Sequence, residues 1–344
     1  MQAIEKLNAH SAVATHTSVM RAVVHREYGT PAVLSVEEVP RPVPGEEDVL
    51  VHVLAAGVSI GDHHIVTGKP YLVRLSPFGG FPKPRNPVPG AAMSGRVEAV
   101  GAKVTGFRVG EEVFGQTVNG AFAEYLVIPA KLLALKPKNL SFEAAAAVPW
   151  GTTALQGLRD AGGLKAGERV LVYGASGAVG TWAVQLAKAM GAHVTAVCST
   201  RNLDLVRSLG ADQVIDYTKH DFVAGGARFD VLFDMVGNRA PSDCKAVLTP
   251  GGRYVPCSGG GGDWVGPFVR IIGGLLVFLF GGRHFKLFMQ SVNAADLRVM
   301  KDLIEAGEVK PVVERTWSLA EAGAALHHVG TGHSRGVNVV RISG

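Results

Sequence analysis

Residues Val170-Leu171-Val172-Tyr173-Gly174-Ala175-Ser176-Gly177-Ala178-Val179-Gly180 join a short apolar run to a glycine-rich turn and the start of a helical pattern. Small residues in such a turn let the backbone come close to a pyrophosphate. Its charge then meets the free N–H groups and the positive dipole end of the following helix. The helix is marked by Val179, Trp182, Ala183, Leu186, Ala187 and Met190 at i, i+3, i+4, i+7, i+8 and i+11, and Gly191 stands where a left-handed cap would stop it. Ala175 takes the place of the first glycine in the G-x-G-x-x-G pattern, so the flanking sequence has to carry the assignment.

The flanks agree. A β-branched run of strand length, His193-Val194-Thr195-Ala196-Val197-Cys198, follows the helix. A second helix over residues 203–209, closed by Gly210, comes next. Strand-like runs recur at 213–216, 229–234 and 252–257. Strands alternating with helices imply right-handed crossovers, hence an α/β Rossmann unit with a doubly wound parallel sheet and its ligand at the carboxyl ends of the strands.

The end of the second strand bears on the choice of nucleotide. In an NAD-preferring site an Asp or Glu about 20 residues beyond the glycines takes the ribose hydroxyls, and that carboxylate would repel a 2′-phosphate. Here the position reads Cys198-Ser199-Thr200-Arg201-Asn202, without an acid. Two hydroxyls and a guanidinium fork suit a phosphate, which points to NADPH, with Tyr217 on the same rim as a second partner. The alternative is a plain polar loop with an exposed Arg201.

These elements sit in a chain of 344 residues, longer than one core normally grows, so two domains are expected. Hydrophobic content of 47% with 18% charge describes a soluble globular protein. The net charge of +5 comes without a Lys/Arg cluster or aromatic-basic interleaving, which suits an anionic cofactor and argues against a nucleic-acid partner. Three cysteines lack metal or disulfide spacing, so a reducing cytoplasm is the expected home. Residues 1–19 resemble neither a secretory signal nor an Arg-rich transit sequence and read as a disordered tail.

From Met20 to Ala147 short alternating runs and Gly/Pro turns argue a mostly β domain, with strands at 49–53, 95–100 and 121–127. Ser141 caps a helical run at 142–147. The expected division is therefore 20–147, then a nucleotide-binding unit over 148–292, then a closing segment over 293–344.

Several motifs in order are more specific. They are Pro89-Gly90-Ala91-Ala92-Met93-Ser94-Gly95-Arg96-Val97, Val109-Gly110-Glu111-Glu112-Val113-Phe114-Gly115, Gly120-Ala121-Phe122-Ala123-Glu124-Tyr125, the Gly174 to Gly180 turn, Leu209-Gly210-Ala211-Asp212 and Gly332-His333-Ser334-Arg335-Gly336. With these the chain, from Met20 onward, resembles the zinc-free, quinone-oxidoreductase-like branch of the medium-chain dehydrogenase/reductases. The resemblance implies a GroES-like mostly-β domain beside the Rossmann domain, an active cleft between them, and a return of residues 293–344 to the first domain.

Zinc-dependent members of the family carry a Cys within the motif that here reads Gly57-Val58-Ser59-Ile60-Gly61-Asp62. They carry Gly-His-Glu where this chain has Gly90-Ala91-Ala92, and a further Cys or Asp near Val148-Pro149. Each ligand position has lost its ligand, and three scattered cysteines cannot build the family's four-cysteine structural site, so no metal is expected. His63 and His64 are adjacent, and in an extended segment they would point opposite ways. Without a Lewis acid an ordinary alcohol is hard to oxidise, whereas a quinone or enone accepts hydride at an electrophilic carbon and spreads the charge. The resemblance makes Ser59, Asp62, His63, His64 and Tyr71 the candidate catalytic residues.

For the cofactor it implies Ala175, Ser176, Gly177, Ala178 and Val179 at the pyrophosphate, and Ser199, Thr200 and Arg201 at the 2′-phosphate. Thr153 falls at the nicotinamide ribose, and Val236, Gly237, Ser258 and Gly259 lie where the nucleotide passes. The apolar run Ile271-Ile272-Gly273-Gly274-Leu275-Leu276-Val277-Phe278-Leu279-Phe280 is too short to span a bilayer. It is expected to line the cleft or to form a homodimer contact, with weak membrane association as the other option. Three activities stay open: an NADPH-dependent reductase of quinones or enones, a zinc-free NAD(P)-dependent alcohol dehydrogenase or aldehyde reductase, and a non-catalytic NADPH-binding redox sensor.

Overall fold

The structure, a computed structural model, describes residues 18–76, 79–257, 262, 264 and 267–343. Residues 1–17 of the expected tail, and Ser258 and Gly259, lie outside the described residues, and Val19 already belongs to the first strand. That strand, β1 (Val19–Val24), pairs antiparallel with β2 (Ser35–Pro40).

A seven-stranded sheet follows. It is built on β3 (Asp48–Val58), β4 (Ala92–Val100), β5 (Glu112–Gln116), β6 (Tyr125–Pro129) and β7 (Leu133–Leu135). Helix α1 (Ile60–Thr67) leaves the end of β3, and α2 (Phe142–Ala146) and α3 (Pro149–Gln156) lead out of the sheet. Ser141 caps α2 as expected, its hydroxyl accepting from Ala144 N at 3.2 Å. The strand expected over 121–127 begins only at Tyr125. Before it, Phe122 O accepts from Val23 N and Glu124 N donates to Arg21 O, so the chain lies along β1 and meets the sheet only at Glu124, whose carbonyl accepts from Val53 N at 2.9 Å. Ala121 and Ala123 are still buried, which is why the alternation looks like a strand.

The second sheet is parallel throughout. Its strands are β8 (Arg169–Tyr173), β9 (His193–Cys198), β10 (Gln213–Asp216), β11 (Phe229–Asp234), β12 (Leu248–Pro256) and β13 (His284–Phe285), in the order β10-β9-β8-β11-β12-β13. Helices α4 (Gly180–Ala189), α5 (Leu203–Ser208), α6 (Pro241–Ala246) and α7 (Pro267–Phe278) connect them. The reversal of strand order between β8 and β11 makes the crevice that binds nucleotides in such sheets. Trp182 and Leu186 of α4 pack fully buried against this sheet, as the helical period requires.

After α8 (Ala294–Glu305) the chain returns. Strands β14 (Val313–Ser318) and β15 (Val337–Arg341), with α9 (Ala322–Gly330) between them, join the first sheet through the antiparallel pairing of β15 with β3.

The apolar run lies largely in α7. One face is buried: Phe278 stacks on Tyr254 with ring centroids 5.7 Å apart and meets Phe285 edge-on at 5.9 Å. The other face, Val269, Ile272, Leu275, Leu276, Leu279 and Phe280, is exposed. Among the described residues no helix is long and apolar enough to cross a membrane.

Candidate nucleotide site and active cleft

The turn between β8 and α4 is shaped by three glycines with different duties. Gly174 has φ 90°, and a Cβ there would lie 2.9 Å from the Val236 side chain. At Gly180 a Cβ would fall 2.1 Å from Gly174 O, so the helix start presses directly on the strand end. Gly177 is crowded by nothing in the chain: a Cβ there would meet only Gly174 O, at 3.6 Å. Its bareness leaves room on the outer side of the turn, where a pyrophosphate would approach the backbone. Ala175 is fully buried and donates to Val197 O at 3.0 Å, so its methyl packs inward and a glycine is not needed there.

The rim at the end of β9 converges on this turn. Asn202 Nδ2 donates to Ser176 Oγ at 2.9 Å and to Ser199 Oγ at 3.2 Å. The Arg201 guanidinium is exposed and donates to the His333 carbonyl, while Gly336 N donates to Ser176 O at 2.8 Å. Residues 333–336 therefore close the site from the far end of the chain. Thr200 donates to Asp216 Oδ2 at 2.5 Å and lies 3.0 Å from Thr218 Oγ1. Asp216 is an acid that sequence reasoning overlooked. Hydrogen bonds from Thr200 and Thr218 hold its carboxyl below the usual range. Tyr217, beside it, is half exposed and donates its backbone N–H to Cys198 O at 3.1 Å.

On the other side of the crevice, Val236 N and Gly237 N both donate to Asp234 Oδ1, at 2.9 and 2.8 Å. Asp234 is fully buried, and its Oδ2 accepts from Tyr254 Oη at 2.9 Å and Arg270 Nη2 at 3.1 Å. The start of α7 is thus tied to the loop that follows β11. Thr153 is buried within α3.

The remaining candidate groups lie on and just after α1. Ser59 is the N-cap of α1 and forms a reciprocal capping box with Asp62: Ser59 N and Oγ each donate to Asp62 Oδ2 at 2.8 Å, and Asp62 N donates back to Ser59 Oγ at 3.2 Å. Burial pushes the Asp62 carboxyl up to about 6, against the hydrogen bonds from Ser59 and the Ala91 backbone. His63 and His64 lie on a helix, not on an extended segment, so their rings diverge by one helical step. A Cβ at Gly330 would be 2.5 Å from His63 Nε2, which places that ring in the packing between α1 and α9. Burial lowers the pKa of both histidines. Tyr71 is held between the Arg74 guanidinium, 4.9 Å from its ring centroid, and Trp264, whose ring centroid is also 4.9 Å away. This contact joins the segment after α1 to the segment before α7. Among the described residues, no group of three or more His, Cys, Asp or Glu side chains is placed to hold a metal ion.

A parallel nucleotide-binding sheet joined to a GroES-like sheet defines a dehydrogenase/reductase. Residues 45–138 match the alcohol dehydrogenase GroES-like domain family and residues 209–340 the zinc-binding dehydrogenase family. The chain is 34% identical over 350 residues to 2-methylene-furan-3-one reductase of Solanum lycopersicum, covering 96% of this chain and 82% of that protein. It is 31% identical over 338 residues to the chloroplastic quinone-oxidoreductase QR1 of Triphysaria versicolor, covering 94% and 98% of the two chains. The structure of the quinone oxidoreductase from Coxiella burnetii superposes with TM-score 0.83 at 27% identity, covering 95% of this chain and 100% of that one. The chain belongs to the quinone-oxidoreductase-like branch of the medium-chain dehydrogenase/reductase family and is an NAD(P)H-dependent oxidoreductase.

Proposed function

We propose that the protein reduces a small lipophilic quinone or α,β-unsaturated carbonyl with NADPH and without zinc. The observation that carries the reading is the rim made by Ser176, Ser199 and Arg201. It sets two hydroxyls, both accepting from Asn202, beside the exposed Arg201, and the nearby Asp216 carboxylate accepts from Thr200 and Thr218. The bare outer side of Gly177 fits a pyrophosphate, so Ala175 to Val179 would hold that group, and Thr153, Val236 and Gly237 would lie toward the reacting ring. When bound, NADPH supplies the hydride.

The chain's own contribution is to position and to donate. Asp62 fixes Ser59 at the head of α1, and Trp264 and Arg74 fix the plane of Tyr71, whose phenol can hydrogen-bond an acceptor carbonyl. Ser59, Ala91 and Ala92 stand where zinc-dependent relatives carry ligands, so a conjugated acceptor that needs no Lewis acid suits the cleft. The exposed face of α7 fits a homodimer contact, with weak membrane attachment as the rival outcome, and three thiols without disulfide spacing fit a cytoplasmic protein.

The test is NADPH consumption with a panel of quinones, enones and aldehydes. Turnover of the first two groups is expected. Preference for aldehydes would favour the alcohol dehydrogenase reading, and tight NADPH binding without turnover of any compound would favour a redox sensor.

A further inference from the structure

Asn202 lies where the β8–α4 turn meets the loop after β9, and it is nearly fully buried although Arg201 beside it is exposed. Its Nδ2 reaches Ser176 Oγ in the β8–α4 turn at 2.9 Å and Ser199 Oγ at the end of β9 at 3.2 Å. Its Oδ1 is buried without a hydrogen-bond partner.

A serine hydroxyl has one proton to give and lone pairs to accept with. A hydroxyl oxygen that already accepts from an amide N–H keeps its proton for another partner. Turned the other way, the amide would draw both serine protons inward onto Oδ1 and still leave one buried amide atom unpaired, so satisfaction of Asn202 itself does not choose between the orientations. The two orientations differ in what the serines then present. The observed one leaves two hydroxyl protons free, and the reverse leaves two sets of lone pairs. A phosphate only accepts.

We infer that Asn202 is the positioning residue of the nucleotide pocket: by donating to Ser176 and Ser199 together it orients both hydroxyls as donors, one toward the pyrophosphate and one toward the 2′-phosphate. The inference rests on the NADPH reading for Ser199. For Ser176 it holds for either nucleotide, since NADH carries the same pyrophosphate. Asn202 needs no contact with the cofactor to act, and the glycine pattern does not disclose it.

The experiment is a double-mutant cycle read by direct binding. Dissociation constants of NADPH, NADH and adenosine 2′,5′-bisphosphate are measured by calorimetry for the wild type, N202L, N202D, the S176A/S199A pair and the combinations, with Tm of each nucleotide-free protein. N202L is expected to weaken NADPH by about tenfold and NADH by less, and N202D, whose carboxylate can only accept, by more than N202L. In the S176A/S199A background N202L is expected to change NADPH binding by less than about twofold, because the hydroxyls through which it acts are gone. Equal losses from N202L in both backgrounds, or no loss in either, overturn the inference. If N202L lowers Tm of the nucleotide-free protein, the near-isosteric N202D is run through the same cycle, and its hydroxyl-dependent share of the loss decides. Equal wild-type affinity for NADPH and NADH would instead defeat the NADPH reading, while the NADH column would still decide the role of Asn202 through Ser176.

Discussion

An alanine Cβ at Gly180 would lie 2.1 Å from the carbonyl oxygen of Gly174, whereas one at Gly177 would meet that same oxygen only at 3.6 Å. Of these two glycines in one motif, the fold therefore requires the first and leaves the second uncrowded. Gly180→Ala should destabilise the protein by about 1–3 kcal/mol or more through overpacking. Gly177→Ala should leave stability within about 1 kcal/mol and still weaken NADPH by at least about tenfold. Thermal melts paired with nucleotide titrations check this. A Gly177→Ala protein that melts normally and binds NADPH normally would remove the turn from the cofactor site.

Arg201 reaches the His333 carbonyl across the rim and is exposed, so its other N–H groups are available to a 2′-phosphate. Arg201→Ala should weaken NADPH by about 1.5–3 kcal/mol, as for a charge-assisted hydrogen bond, and leave NADH nearly unchanged. Equal losses for both nucleotides would show that Arg201 serves the rim and not the phosphate.

Metal analysis gives a third check. Purified protein should contain substoichiometric zinc and keep its activity after prolonged chelation, because Ser59, Ala91 and Ala92 occupy the ligand positions. Stoichiometric zinc lost together with activity would contradict the zinc-free reading.

Asp62 gives the fold a pH dependence of definite sign. Its carboxyl titrates near 6 in the folded chain against an ordinary value of 3.8, so the folded state binds the proton more tightly. The stabilisation is fully present below about pH 3.8 and is lost as pH rises through about 6, a change of up to about 3 kcal/mol. Urea unfolding from pH 4 to 7 should show this slope in the wild type and lack it in Asp62→Asn. Parallel curves for the two proteins would mean that the buried carboxyl titrates normally.

The two faces of α7 should respond oppositely. Phe278→Ala removes a ring packed on Tyr254 and Phe285 and should cost about 3–5 kcal/mol. Leu276→Asp, on the exposed face, should change stability by no more than about 0.5 kcal/mol. In that variant a shift toward monomer with unchanged kinetics supports a homodimer contact. A raised KM for bulky acceptors alone supports cleft lining, and lost liposome binding supports membrane attachment.

The parallel sheet was legible in the sequence because β-branched runs and the helical period of Trp182 and Leu186 are local signals. The edge of the first domain was less so. Residues 121–124 alternate like a strand but divide their backbone bonds among β1, Pro89, Gly90 and Val53, a long-range choice that periodicity does not encode. The site shows the same division. Ser176, Ser199 and Arg201 stand out by type and position, whereas Asn202 and Asp216 act through partners that only the packing of two loops brings within reach. His63 and His64 drew attention by chemistry, yet the helix carries His63 into the contact with α9.

The pairing of β15 with the second half of β3, Ala55 opposite Arg341 through to Val58 opposite Asn338, has a consequence for biosynthesis. That half of β3 leads into Ser59 and the cleft, yet its outer edge is unsealed while the whole parallel sheet is still being translated. The contact between Arg201 and His333 likewise spans 132 positions. A nascent chain therefore carries an open strand edge, the kind that invites pairing with other chains, and cannot bring His333 to Arg201 until the returning segment has left the ribosome. Chaperone cover during that interval would then bear on how much active protein a cell obtains.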